Sequence, residues 1–220
     1  IKIKEVLSNV VSDPSVLAGL DAKKHPLLQK REVQKVGYLV LCSDKGLAGA
    51  YSSNALKMAV AEISECEDEV VVITCGRKAR DFFTRRGFNV IQSHIGFSDR
   101  PTYENAVDIA QDAIKTFASE GFDKLNIVYT VFKTALSQIP TSEVILPVEP
   151  PVKEEGKAQA SFMFEPGEDD TLTVLAPKYL ETVVYAALVQ SAASELGSRM
   201  TAMSSATDNA AKLVSSLQLS

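Results

Sequence analysis

The chain has 220 residues, 45% hydrophobic and 23% charged, with a net charge of -5 and a pI near 5.2. That is long enough to bury a real core in one globular domain, and the acidic balance argues against a nucleic-acid binder. No run approaches the roughly 18 uninterrupted apolar residues of a membrane span, and the opening "IKIKEVLSNVVSD" has no apolar core behind a basic start, so no signal peptide is visible.

Ile3, Val6, Leu7, Val10 and Val11 recur three and four apart, so residues 1–12 read as a short amphipathic helix or the tail of a longer one. The chain begins at Ile1 rather than Met, as a processed chain or an excised fragment would. A connector rich in Pro, Gly and charge then runs to Gln34. Next, "KVGYLVLC" (35–42) is apolar almost throughout, as expected of a strand buried on both faces. Helical spacing follows over 52–67, a second buried strand over 69–76, a helix over 77–87 closed by Gly87, and a third strand over 88–96. A helix over 102–122 turns Ala106, Ile109, Ala110, Ala113, Ile114 and Phe117 inward. Strands over 124–133 and 137–148 are separated by only Thr134, Ala135 and Leu136, too few for a crossover, so they pair antiparallel. The fold class is therefore α/β: a three-layer, Rossmann-like domain with a mostly parallel five-stranded sheet and one antiparallel edge.

Residues 149–170 read as a Pro-, Gly- and Glu-rich surface loop. From Thr171 to Leu219 the only helix breakers are Pro177 and Gly197. A continuous helix there would reach roughly 70 Å, longer than the domain is wide, so part of it projects. Leu196, Met200, Met203, Thr207, Ala210, Val214 and Leu217 alternate steps of four and three. That period marks the seam of a left-handed coiled coil with one partner helix, antiparallel if an extension of 1–12 supplies it. Packing on the domain's own sheet is assigned instead to Leu180–Val189.

The turn "SDKGLAGAYSSNALK" (43–57) joins the first strand to the first helix. Its Gly46-x-x-Gly49 spacing is neither a dinucleotide fingerprint nor a P-loop. Position alone allows anion binding at a helix start. The preferred reading is that both glycines permit a tight turn and close packing of helix on strand. Asp44 and Lys45 stand where α/β enzymes place chemistry, yet no nucleophile–base pair or carboxylate pair lies near them. No catalytic, cofactor or metal residue is assigned. His25 and His94 lack neighbours at ligand spacing, and Cys42 and Cys75 end apolar runs as small buried hydrophobes. Arg77, Lys78, Arg80, Arg85 and Arg86 form either a solvated helix face or a contact for an acidic partner or a membrane-adjacent surface.

Residues 31–57 and 193–220, together with "HPLL", "SQIPTSEVILP" and "FMFEP" in the same order, resemble the gamma-subunit family of the rotary F-type ATP synthases. Arg199, Met200, Met203, Ala206, Thr207, Asn209 and Ala210 carry the C-terminal part of the likeness, and Ser43, Asp44, Lys45, Gly46, Leu47 and Gly49 the signature turn. Most of the family's first long helix and its last residues have no counterpart here. Ala50 and Ala48 replace a common glycine and cysteine, and no cysteine lies in 149–165, so the plastid type of redox gating is not implied.

The resemblance implies a non-catalytic central-stalk rotor at the cytoplasmic face of a bacterial membrane, coupling ion-driven rotation to ATP synthesis. Its implied partners are the alpha and beta subunits of the catalytic hexamer, the epsilon subunit and the membrane rotor ring, with no nucleic acid, no cofactor and no span of its own. On that reading 1–12 ends the N-terminal coiled-coil helix, 13–170 is the foot and 171–220 is the long helix. Leu196, Arg199, Met200, Met203, Thr207, Asn209, Ala210, Val214 and Leu217 meet partners, and Ser198, Thr201, Ser204 and Ser205 complete a smooth bearing. Two other readings exist: a small-molecule- or phosphate-binding α/β enzyme with a helical dimerisation arm, which needs a pocket lined by Asp44, Lys45 and Arg77, and a self-associating coiled-coil scaffold. The rotor reading expects no such pocket and a bare seam.

Overall fold

A computed structural model describes residues 25–149 and 168–218. The expected helix over 1–12 and most of the 149–170 loop lie outside the described residues. Strands β1 (Lys35–Leu41), β2 (Glu69–Cys75), β3 (Val90–His94), β4 (Lys124–Thr134) and β5 (Ser137–Leu146) form one sheet in the order β3-β2-β1-β4-β5. All neighbours are parallel except β4 and β5, as the short link between those two required. Pro140 is accommodated because β5 is an edge strand.

β1 is central, and alternate side chains feed two cores. Val36, Tyr38, Val40 and Cys42 pack under α1 (Tyr51–Glu65) and α2 (Arg77–Arg85), whose inward residues are Ala55, Leu56, Ala59, Ala79 and Phe83. Leu39 and Leu41 face α3 (Tyr103–Ala118) and α4 (Glu168–Gln218). The three layers match the expected architecture. Burial pushes the Cys42 thiol up to about 12 and raises Cys75 as well, consistent with two small hydrophobes in the core.

The 102–122 helix is shorter than its periodicity predicts. Thr102 and Asn105 cap its start reciprocally. It stops at Ala118 because Glu120 turns left-handed (φ 59°) and the Gly121 amide donates back to the Thr116 carbonyl at 2.8 Å. That reversal brings Phe122 into the core beside Phe117.

α4 runs 51 residues with Pro177 inside it. A stretch of it is long and apolar enough, by length and composition, to cross a bilayer. Here Leu172, Ala176, Leu180, Val184, Ala187 and Leu188 are buried against the protein's own sheet and α3. Tyr103 on α3 donates to the Glu181 carboxylate at 2.8 Å, and Lys178 reaches the same oxygen at 2.8 Å. That polar tie sets the register between the two helices.

His94 ends β3 with Nε2 buried and without a hydrogen-bond partner. Burial lowers its pKa, and the Asp112 carboxylate 3.7 Å away only partly opposes this. As pH falls through the unfolded value near 6.5, the unfolded chain takes up this proton before the folded one does. Stability then declines with acidification until the folded state is protonated too. Urea midpoints should fall between pH 7 and 5.5. His94→Gln should flatten that decline, and an unchanged slope would remove His94 as its source.

Candidate functional site

The glycine turn and the C-terminal helix, about 150 positions apart in sequence, meet in space. Asp44 is held by backbone amides. Its carboxylate accepts from Arg77 N at 3.1 Å, Gly96 N at 2.8 Å and Ser98 N at 3.0 Å. Asp44 thus ties together the loops that follow β1, β2 and β3. Lys45 Nζ pairs with Asp99 at 2.9 Å. The Ser43 and Ser52 hydroxyls are bonded to each other at 2.7 Å. These groups act as structure, and they form no acid–base or nucleophilic set.

Gly46 and Gly49 part company. Gly49 is left-handed (φ 54°), as is Leu47 (φ 61°), which projects into solvent. A Cβ on Gly49 would lie 2.9 Å from Ser198 Oγ, whereas one on Gly46 would meet only the end of the Lys78 side chain at 4.0 Å. The close approach that needs glycine is therefore to α4, and not to the packing of the following helix on its strand. Gly46 is not required by its conformation.

α4 leaves the domain between two grips. On one flank Ser198 Oγ donates to the Ala48 carbonyl at 2.7 Å. Arg199 bonds the Glu195 carboxylate at 2.7 Å and reaches the Gly46 carbonyl at 3.4 Å. Glu195 is fully buried, and Arg199 is its ion-pair partner among the described residues. On the adjacent flank lies the β4–β5 hairpin. Phe132 N donates to Gln190 Oε1 at 2.9 Å, Thr130 N to Ser191 Oγ at 3.2 Å, and Ser194 Oγ to the Thr130 carbonyl at 3.2 Å. The Thr201 hydroxyl lies 3.0 Å from the Ala135 carbonyl. A Cβ on Gly197 would stand 3.0 Å from the Phe132 ring. At about 100° per residue, the two grips sit on neighbouring faces of one helical segment.

The seam faces away from both grips. Leu196 is 51% exposed, Met200 62% and Met203 40%, while the neighbouring Ser194, Glu195 and Gly197 are buried. Thr207, Asn209, Ala210, Val214 and Leu217 are all exposed. Among the described residues nothing covers Leu196, Met200 or Met203. Ser204 and Ser205 are exposed too. Ser198 and Thr201 instead turn inward to backbone carbonyls, so they fasten the helix to the domain. Arg199 likewise folds onto its own domain. Glu195 was not singled out in the sequence, and neither was Ala48 as an acceptor. The available signal was a stripe of small residues, Ser191, Ser194, Gly197, Ser198 and Thr201, at helical spacing.

A groove of about 550 Å³ opens beside the glycine turn, but neither Asp44 nor Arg77 lines it, so it is not the pocket that the enzyme reading needs. Its wall includes Lys45, Lys78, Arg85 and Arg86, while Asp44 points inward to its three amides. Within the basic run, Arg80 pairs with Asp81 at 2.8 Å and Arg86 stacks over the Phe82 ring at 4.0 Å. Arg77, Lys78, Arg85 and Arg86 are exposed. Among the described residues no cluster of His, Cys, Asp and Glu could hold a metal.

A family model described as ATP synthase matches residues 1–220. The ATP synthase gamma chain of Brevibacillus brevis is 41% identical over 222 residues, covering all of this chain and 75% of the relative. That of Pelotomaculum thermopropionicum is 40% identical over 220 residues, again covering all of this chain and 75% of the relative. A chain from the central stalk and c-ring of the Tetrahymena thermophila mitochondrial ATP synthase superposes with a TM-score of 0.65 at 21% identity, covering 94% of this chain and 98% of that one. A chain from the Euglena gracilis mitochondrial ATP synthase rotor gives 0.55 at 16% identity, covering 96% and 83%.

Proposed function

The chain belongs to the ATP synthase gamma-chain family, and from that premise we propose that its work is done where α4 leaves the domain. As a gamma chain it is the non-catalytic stalk subunit of a rotary ATP synthase, coupled to ATP synthesis within a membrane-associated complex. We assign residues 13–170 to the foot and residues from 171 onward to the shaft. Leu196, Met200, Met203, Thr207, Asn209, Ala210, Val214 and Leu217 form the partner-facing stripe. Its partners are the alpha and beta subunits of the catalytic hexamer, with the epsilon subunit and the membrane ring at the foot. The complex sits on the cytoplasmic face of a bacterial membrane.

One observation carries this reading: a helix gripped at residues 190–201 by two loops, with Leu196, Met200 and Met203 exposed on the opposite face and Val214 exposed further along it. A helix that served only the domain's own core would have no use for that stripe. The test is co-assembly of this chain with purified alpha, beta and epsilon subunits of a bacterial ATP synthase. Met200→Glu/Met203→Glu should cut recovery of alpha and beta at least tenfold while leaving epsilon bound. Undiminished recovery of the hexamer would overturn the assignment of the stripe.

A further inference from the structure

Where α4 meets β4 and the start of α1, it closes over a group of polar side chains. Tyr51, Thr130, Ser191, Ser194 and Glu195 are all buried there. Most of their polar atoms account for one another. Ser191 Oγ accepts from Thr130 N at 3.2 Å, Ser194 Oγ donates to the Thr130 carbonyl at 3.2 Å, and Arg199 donates to Glu195 Oε1 at 2.7 Å. Two atoms are left over. Glu195 Oε2 and Thr130 Oγ1 are both buried, and neither has a hydrogen-bond partner among the described residues. Folded proteins leave few such groups unsatisfied, and ordered water is a common partner for those that protein atoms do not reach.

The two atoms belong to one cluster. Ser191 and Ser194 hold Thr130 directly, and Glu195 is the next residue along α4. The Thr130 side chain lies on the same face of β4 as Val128, which packs in the core under α1. Tyr51 opens α1 on that side. Burial raises its phenol well above the usual range, and the Glu195 carboxylate adds to the rise, so the carboxylate and the ring lie near each other.

We propose that the root of α4 holds one buried water, which donates to Glu195 Oε2 and accepts from the Thr130 hydroxyl, so that solvent ties the long helix to β4. A buried water typically makes about three hydrogen bonds, and Tyr51 and Ser191 offer the third. A metal cation suits the place poorly, because the Arg199 guanidinium already neutralises the carboxylate. The site faces into the domain and does not depend on what meets the exposed stripe.

A high-resolution crystal structure of the purified chain should show one water within hydrogen-bond distance of both Glu195 Oε2 and Thr130 Oγ1. Glu195 Oε2 bonded directly to a protein group, or no density between the two atoms, overturns the proposal. Thermal melting gives a second reading that needs no crystal. Thr130→Val keeps the side chain's shape and both backbone bonds to α4, and removes only the hydroxyl. Loss of a water-bridged hydroxyl should lower Tm by about 2–4 °C. An unsatisfied hydroxyl replaced by a methyl would leave Tm unchanged or raise it, and that result also overturns the proposal. Thr130→Ser should retain the water in the crystal. With Glu195→Leu/Arg199→Met already in place the carboxylate is gone, so adding Thr130→Val should no longer lower Tm. An equal drop in both backgrounds would mean that the hydroxyl does not act through a water on Glu195. Hexamer recovery, the test of the exposed stripe, is scored separately and can succeed or fail without these results.

Discussion

Arg199→Met will cost about 3–5 kcal/mol of stability, the usual penalty for leaving a buried carboxylate without its cation. The carboxylate is Glu195, whose side chain is fully buried, and the arginine is itself only 22% exposed, so solvent screens the pair little. One Glu195 oxygen, Oε2, has no hydrogen-bond partner among the described residues even with arginine present. The double variant Glu195→Leu/Arg199→Met should recover most of the loss, because it removes the charge along with its partner. Urea denaturation of the four proteins of this cycle measures the coupling. The double variant should still lose the arginine's reach to the Gly46 carbonyl, visible as faster hydrogen exchange over 44–50. A single variant within about 1 kcal/mol of the parent would reduce the pair to a spectator.

Gly76→Ala should be the most damaging methyl addition among the described glycines. Gly76 joins β2 to α2 at φ 95°, and its Cβ would overlap the Cys42 carbonyl oxygen. The clash is with backbone, which cannot rotate away. A forced left-handed residue costs about 1–3 kcal/mol, and overpacking adds about 1–3 more. For a chain of this size a loss of about 4 kcal/mol lowers Tm by roughly 8–16 °C. Gly46→Ala is the control, since nothing there opposes a methyl, and it should shift Tm by no more than a degree or two. Equal melting of the two variants would mean that the Cys42–Gly76 approach is not tight.

The sheet was legible because its strands are short apolar runs between helical periods, and because Thr134–Leu136 is too short to cross over. The exposed stripe through Leu196, Met200 and Met203 follows the step pattern of the sequence, and its use as a helix-pairing seam is the proposal made above. What could not be read was which distant element each local feature touches. Gly46 and Gly49 look alike in sequence, and only the arrival of Ser198 from the far end of the chain separates them. Asp44, at the carboxyl end of a strand, has the address of a catalytic acid. Its three amide donors come from loops 33 to 54 residues away, so local spacing could not reveal them. Ser198 and Thr201 were grouped with the bearing for the same reason: a small polar residue suits water and a nearby carbonyl equally.

The direction in which α4 is held has a mechanical consequence. At about 100° per residue, the hairpin grip at 190, 194, 197 and 201 and the turn grip at 195, 198 and 199 together span somewhat more than half the circumference. Leu196, Met200 and Met203 occupy the remaining arc. A push delivered to that arc drives the helix down into its cradle, loading the Ser198–Ala48 and Thr201–Ala135 bonds in compression. A push from the cradle side would have to peel the same bonds open, one after another. The joint is therefore stiff toward thrust on the exposed stripe and weak toward lift in the opposite direction, a one-sided rigidity set by where two glycines let backbone and side chain close in.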